Sequence, residues 1–216
     1  MHAVLFDMDG VIVDTMDLHF ESSQRVLAEH GVRMPISELR KLGSKRSKDG
    51  FKELLPEKGD SEIDRMVKKK YAYLFAKAKG IKPIKGFLDF FFLVAGKHPI
   101  AVVSSSNRAF VEDILLQLGI FKDFGVVICG DDVRKGKPDP EGYLKAAKKL
   151  NVNPKDCVVI EDSVYGVMSA RSAGMKVIAV TNTHDRNFLL DADLVVDSLA
   201  EITVEMLEGI FKSGTK

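Results

Sequence analysis

Short runs of consecutive apolar residues punctuate the chain. They are Ala3 to Phe6, Ile100 to Val103, Val126 to Cys129, Cys157 to Ile160 and Val177 to Val180, with a weaker sixth at Leu194 to Val196. None alternates with polar residues, which predicts strands buried on both faces. Between them the apolar residues recur at helical spacing. Phe87 to Ala95 precedes the second run, and Phe110 to Leu118 follows it and ends at Gly119. Pro140 to Leu150 opens with a proline in the first turn, where its missing N–H costs nothing. Val164 to Ala173 ends at Gly174, and a last helix runs from about Leu199 to Phe211. This alternation predicts an α/β protein with a parallel sheet covered on both faces.

Residues 15–82 break the rhythm. They hold no strong strand candidate. Leu18 to His30, Glu38 to Leu42, Lys48 to Leu55 and Ser61 to Lys79 all have helical spacing, with Gly31, Gly43, Gly59 and Gly80 between them. A helical block after the first strand is expected to form a small inserted cap, 15–82, on a core made of 1–14 and 83–216. The joints fall near Asp14-Thr15 and Ile81-Lys82-Pro83, and the tail from Lys212 to Lys216 is expected to fray.

Composition narrows the function classes. With 216 residues, 45% of them hydrophobic, the chain can bury a good core. A formal net charge of +1 gives no global electrostatic case for nucleic acid. The densest basic run, Lys68-Lys69-Lys70, lies in a helical pattern and is expected on a solvated face. Cys129 and Cys157 lack metal-ligand spacing and sit in apolar runs, which suits buried free thiols in a reducing compartment. The N-terminus enters a strand without a basic and then apolar signal region, and no apolar run is long enough for a bilayer. The expectation is a cytoplasmic, soluble protein with no membrane or nucleic-acid partner, as a monomer or weak homo-oligomer.

In an open parallel sheet, ligands bind outside the carboxyl ends of the strands. The first run ends in Asp7-Met8-Asp9-Gly10. Residues i and i+2 of a strand share a side, so the two carboxylates can converge and invite a divalent cation. Asp and Gly are also ordinary turn residues, and these positions alone leave both readings open. The second run delivers Ser104-Ser105-Ser106-Asn107, and the fourth Glu161-Asp162-Ser163. Lys135-Gly136-Lys137-Pro138-Asp139-Pro140 lies before a helix. Each has a plainer reading: the serines as helix caps, Lys137 as a surface lysine, and the acidic pair as a complement to a helix dipole. Together they suit a phosphoryl group beside Mg2+, with carboxylates on the cation and the lysine, hydroxyl and backbone N–H groups on the phosphoryl oxygens.

The whole set resembles the haloacid dehalogenase (HAD) superfamily, in the branch of β-phosphoglucomutase-like and phosphoglycolate-phosphatase-like enzymes with a helical, C1-type cap. The carriers are Asp7-Met8-Asp9-Gly10-Val11-Ile12-Val13-Asp14-Thr15, then Ser104, then Lys137-Pro138, and finally Ile160-Glu161-Asp162-Ser163 with Gly166, Ala170 and Ala173-Gly174-Met175. The resemblance implies an α/β fold, a Rossmann-like parallel sheet core with an inserted α-helical cap domain. It implies that Asp7 is the nucleophile that forms an aspartyl-phosphate and Asp9 the general acid and base. Mg2+ would bind the Asp7 carboxylate, the Asp9 carbonyl and Asp162, with Glu161 in support through water. Ser104 and Lys137 would hold the phosphoryl oxygens, together with the backbone N–H groups of Met8, Asp9 and Ser105.

Asp9 separates the possible reactions. The superfamily's dehalogenases and phosphonatases lack an aspartate there, and the latter use a cap lysine as a Schiff base. Aligning Leu42-Gly43-Ser44-Lys45-Arg46 puts Arg46 at that lysine, and arginine cannot form the imine. Two phosphoryl-transfer reactions remain. The favoured one is an enzyme of the phosphatase kind, acting on a small phosphorylated metabolite of the sugar phosphate or phosphoglycolate type. The alternative is a β-phosphoglucomutase. Thr15 and His19 match residues of those mutases that couple the acid–base aspartate to cap closure, and Arg46 and Ser106 match positions that bind the second phosphate. Asn107-Arg108 departs from the Lys-Asn pair expected there. The cap face that chooses the substrate would carry His19, Lys45, Arg46, Ser47 and Lys79, a basic lining suited to an anionic or polyhydroxylated ester. A non-catalytic binding protein would be expected to have lost Asp7 or the metal carboxylates. A P-loop kinase is excluded because the chain has no Gly-x4-Gly-Lys-Ser/Thr pattern.

Overall fold

A computed structural model describes residues 2–41 and 45–212. Its strands are β1 (Ala3–Phe6), β2 (Ile100–Val103), β3 (Val126–Ile128), β4 (Cys157–Glu161), β5 (Lys176–Val180) and β6 (Leu194–Val196). They form one parallel sheet in the order β3-β2-β1-β4-β5-β6. The apolar runs lie where the pattern places them, because a strand covered on both faces needs an apolar side chain at every position. Successive side chains alternate between two cores. Val4, Phe6, Val102, Ile160 and Ile178 face one side with α5 (Phe87–Val94), α6 (Arg108–Gln117) and α9 (Val204–Lys212). Leu5, Val103, Val159 and Val177 face the other with α7 (Glu141–Leu150) and α8 (Val164–Ser172). The arrangement is a Rossmann-like α/β fold.

Between β1 and α5 come α1 (Met16–Glu29), α2 (Ile36–Arg40), α3 (Ser47–Leu54) and α4 (Asp60–Lys77). This helical block has a core of its own, built from Met16, Phe20, Val26, Leu27, Leu39, Phe51, Leu55, Ile63 and Met66. Tyr71, Leu74 and Ala78, at the far end of α4, instead join the sheet core. Leu42, Gly43 and Ser44, and the tail beyond Lys212, lie outside the described residues. No helix among the described residues is long and apolar enough to cross a membrane.

Helix ends differ from the sequence expectation for local reasons. Pro140 is the N-cap of α7 rather than its first helical residue. The last helix is split, with a 3-10 turn at Leu199–Glu201 and α9 starting at Val204. Two hydroxyls make the break: Ser198 Oγ accepts from Ala200 N, and Thr203 Oγ1 accepts from Met206 N at 3.2 Å. The basic run is not uniformly solvated. Lys68 and Lys69 are exposed, but Lys70 is 5% exposed. It follows Met66 by four residues and precedes Leu74 by four, so helical geometry turns it inward with them. Both cysteines are buried free thiols.

Phe6, the last residue of β1, holds the strand under the site. Its ring meets Phe87, Phe90 and Phe124 edge-on, with centroids 5.8, 5.8 and 6.1 Å away. Phe6→Ala should therefore cost roughly 3–5 kcal/mol in urea unfolding. A loss below about 1 kcal/mol would mean that the cluster can collapse into the vacancy.

Candidate active site

The sheet order decides what meets at its carboxyl edge. β1 is central, with β2 on one side and β4 on the other, so the chain leaves β1 in both directions. Such a reversal opens a crevice beyond the strand ends. Asp7 extends β1 by donating its N–H to Ile160 O at 3.0 Å, and Ser104 extends β2 by donating to Ile128 O at 2.9 Å. The chain then turns sharply. Met8 O accepts from the N–H groups of Val11, Ile12 and Val13 while the Met8 side chain fills the core. Gly10 permits this turn with φ +93°, and a Cβ there would lie 1.9 Å from Asp162 Oδ2.

Lys137 ties two of the strand ends together. Its ammonium donates to Asp7 Oδ1 and to Glu161 Oε1, both at 2.5 Å. Tyr143, on α7, adds an O–H to the same Glu161 oxygen at 2.8 Å. The other Glu161 oxygen accepts from Asp162 N, Ser163 N and Ser163 Oγ. Glu161 therefore has every lone pair engaged by protein groups. Gly166 makes room for it, since a Cβ there would fall 1.8 Å from the Glu161 carboxyl carbon.

Asp162 is the opposite case. It is 1% exposed, and neither of its carboxylate oxygens has a hydrogen-bond partner. Oxygens of Asp7, Glu161 and Asp162 lie within 4.8 Å of one another. Burial and the Glu161 and Asp7 charges push the Asp162 carboxyl well above its usual range, and the Thr183 hydroxyl beside it offsets this only in part. Burial also pushes Asp7 up, to about 8, against the pull of Lys137. Glu161, with its full set of donors, is held down despite burial. A buried carboxylate without a partner is costly unless a proton or a cation meets it. This donor set is all oxygen, which fits a hard divalent ion at the Asp7 and Asp162 carboxylates.

The Asp9 carboxylate is not in that cluster. It faces the helical block. Its Oδ1 accepts from Thr15 Oγ1 at 2.5 Å and pairs with His19 Nε2 at 3.2 Å. Its Oδ2 accepts from Ser104 Oγ at 3.1 Å and Ser106 Oγ at 2.9 Å. Burial raises the Asp9 carboxyl, but His19, Thr15 and Ser106 outweigh it and hold it well below the usual range. His19 is itself pushed down by burial and by Lys70. It faces Asp9 as an N–H donor. The Lys70 ammonium, 3.1 Å from His19 Nδ1, sets the tautomer: it can only donate, so Nδ1 accepts and Nε2 carries the proton. Lys70 also donates to Ser47 Oγ at 2.7 Å, and burial lowers its own pKa to about 8.

Residues 4–180 match the sequence model of the haloacid dehalogenase-like hydrolases. The chain belongs to this family. Among its relatives, a validoxylamine A 7'-phosphate phosphatase of Streptomyces hygroscopicus is 31% identical over 200 residues, 92% of this chain and 94% of that protein. A β-phosphoglucomutase of Bacillus subtilis is 30% identical over 217 residues, 96% and 94% of the two chains. The crystal structure of a β-phosphoglucomutase from Clostridium difficile superposes with a TM-score of 0.89 at 26% identity, covering 99% of this chain and 98% of that one. The expected superfamily and its β-phosphoglucomutase-like branch are thus the right ones.

In this haloacid dehalogenase-like hydrolase the residues singled out from sequence separate into two groups. Asp7, Asp9, Ser105, Ser106, Thr15, His19 and Lys137, with Glu161 and Asp162, gather at the crevice or on its hydrogen bonds. Ser104 is there too, but its hydroxyl is engaged with Asp9 rather than free for a ligand. Of the cap candidates, Lys45, Arg46 and Ser47 line the crevice as well but have protein partners. Arg46 binds Asp49 and three core carbonyls, Lys45 binds Glu53 at 2.5 Å, and Lys79 is exposed and lines no part of the crevice. Asn107 caps α6, its Oδ1 accepting from Phe110 N at 3.0 Å. Leu42, Gly43 and Ser44 lie outside the described residues. Sequence reasoning missed Lys70 and Tyr143. The signal for Lys70 was its place on the apolar face of α4. Tyr143 gave none, because a tyrosine on an amphipathic helix reads as core.

Folding raises the pKa of Asp162 and of Asp7, so the folded chain holds these protons more tightly than the unfolded one. The stability this brings is complete below the ordinary carboxylate range and is lost as the pH rises toward about 8. In the presence of a chelator, Asp162→Asn should therefore gain stability over the parent as the pH goes from about 5 to about 8 in urea titrations. A difference that stays flat, or shrinks, across that window would contradict the unpartnered Asp162.

Proposed function

We propose that this hydrolase is a Mg2+-dependent phosphatase that cleaves small phosphate monoesters through an aspartyl-phosphate on Asp7. The observation that carries the reading is the unequal treatment of the carboxylates. Asp7 and Asp162 stand in a buried cluster short of positive charge, while Asp9 points away from it on a set of donors. Bound at Asp7 and Asp162, Mg2+ would supply the missing charge and neutralise phosphoryl oxygens. Glu161, with its lone pairs taken, would act by holding Lys137.

A carboxylate oxygen of Asp7 would attack phosphorus, and the bond from phosphorus to the alcohol oxygen would break. Asp9 would give that oxygen its proton. Asp9 would then take a proton from water, whose oxygen attacks phosphorus and returns Asp7 as a free carboxylate with inorganic phosphate. Lys137 would steady the phosphoryl oxygens, and Ser104 would turn from Asp9 toward them. Residues 15–82 would serve as the cap on a core of 1–14 and 83–216, with His19 and Lys70 reporting cap closure to Asp9. The low pKa of Asp9 in this arrangement keeps it ionised and makes it a weak base, so both loading it as an acid and strengthening it as a base would accompany loosening of the Thr15 and His19 contacts.

A mutase must also grip a second phosphate. Arg46 and Ser106, the positions matched to that task, are engaged with core carbonyls and Asp9, and Asn107, where the sequence departs from the expected pair, caps α6. This supports release to water over transfer back to the sugar.

Inorganic phosphate should be released from p-nitrophenyl phosphate only with Mg2+, and Asp7→Asn should abolish it. Activity persisting in that variant would remove Asp7 as the nucleophile. Asp9→Asn should slow an alkyl phosphate by roughly 10²–10⁴-fold but p-nitrophenyl phosphate much less, because nitrophenolate leaves without a proton. Equal losses on the two esters would argue against an acid at this position.

A further inference from the structure

We infer that Tyr143 is a positioning residue for the phosphoryl-binding lysine, an inference that rests on the phosphatase reading of Lys137. Tyr143 stands outside the motifs that carry the family resemblance. It is fully buried and meets the lysine's surroundings twice. Its O–H donates to Glu161 Oε1 at 2.8 Å, the same oxygen that receives the Lys137 ammonium at 2.5 Å. The ammonium also lies over the Tyr143 ring, with Nζ 5.1 Å from its centroid. A cation at that distance is attracted by the ring face. Burial, and then the Glu161 charge, push the phenol well above its usual range, so it stays a donor.

Local structure brings the two residues together. They are six positions apart, on either side of the turn Pro138-Asp139-Pro140. Asp139 braces that turn. Its N–H donates to Gly136 O at 3.0 Å, its Oδ1 accepts from Glu141 N at 3.0 Å, and its carbonyl accepts from Ser169 Oγ at 2.7 Å. The first turn of α7 then lies close against β2, since a Cβ on Gly142 would be 3.1 Å from Val103 Cγ1. Tyr143 is therefore carried by a helix fixed on the sheet, and such elements hold site groups more precisely than loops do.

An ammonium has three N–H groups. Asp7 Oδ1 and Glu161 Oε1 take two of them, and the third has no hydrogen-bond partner among the described residues. Where that third group points depends on where the other two are held. Glu161 Oε2 is fixed by Asp162 N and by the N–H and hydroxyl of Ser163. On Oε1 the one donor besides Lys137, among the described residues, is Tyr143. Without that hydroxyl, Oε1 would hold the ammonium alone, and a buried acceptor with fewer donors grips the remaining one harder. Lys137 would be drawn toward Glu161 and away from a phosphoryl oxygen. A core tyrosine whose hydroxyl merely found an acceptor would have no such effect on a ligand.

The test reads ligand binding apart from turnover. Tyr143→Phe keeps the ring and its packing, so it should fold. With Mg2+ saturating, calorimetry should show inorganic phosphate bound at least about threefold more weakly than by the parent. Mg2+ titrated without phosphate should bind within about twofold of the parent, because the hydroxyl donates to Glu161 and not to Asp7 or Asp162. Phosphate affinity held within about threefold, or Mg2+ weakened as much as phosphate, would overturn the inference. Tyr143→Leu removes the ring as well and should weaken phosphate further. A loss equal to that of Tyr143→Phe would strike the ring from the account, and the phenylalanine comparison decides by itself if the leucine variant does not fold. Hydrolysis of p-nitrophenyl phosphate by the parent separates the two claims. A parent that binds phosphate but hydrolyses nothing would sink the phosphatase reading and leave the affinities to decide the role of Tyr143. A parent that binds no phosphate would overturn both.

Discussion

Everything at the carboxyl edge of the sheet depends on one buried ammonium. Lys137 stands between Asp7 and Glu161, which come from neighbouring central strands and would otherwise repel each other in a site with little water. Its own burial opposes its charge, yet the two carboxylates outweigh that and hold its pKa far above the ordinary value. With all three carboxyl groups ionised, the cluster stays two positive charges short. Asp7, Glu161 and Asp162 bring three carboxyl groups to one lysine, and the deficit falls on Asp162, the group with no donors. Folding thus builds a site that is complete only when something cationic enters it.

The second part of the site follows a different logic. Asp9 is removed from the deficit by hydroxyl and imidazole donors from both sides of the crevice, Ser104 and Ser106 from the sheet and Thr15 and His19 from the start of the helical block. Lys70 reaches His19 from α4, so three separate helices or turns converge on one carboxylate. Two aspartates separated by a single residue therefore sit in opposite electrostatic surroundings. Asp7 is pushed up by burial and Asp9 is pulled down by its donors.

Much of this was legible in the sequence, and the limits have physical causes. The strands could be read because two-sided burial writes continuous apolar runs, and their polar ends pointed to Asp7, Ser104, Glu161 and Asp162. Helix ends were less legible where a single hydroxyl decides them, as Ser198 and Thr203 do in the tail. The fates of cations were the least legible. Arg46, Lys45 and Lys70 look alike as residues that could receive an anion, but partners distant in sequence decide whether they can. Arg46 spends its donors on carbonyls 84 to 88 positions away, and no local pattern announces a backbone acceptor.

That choice of acceptor has an effect on tolerance to change. A clamp on side chains can be undone by altering any one of them, whereas main-chain carbonyls persist whatever side chain follows them. Val133 and Arg134 can therefore change and still hold Arg46, provided their backbone keeps its path, whereas Gly130 cannot, because a Cβ there would lie 2.5 Å from Ser105 O. A second sensitive position lies across the contact. At Gly136 a Cβ would press on the Arg46 stem at 2.9 Å, so the fastening between helices and sheet is guarded by the residue that has no side chain.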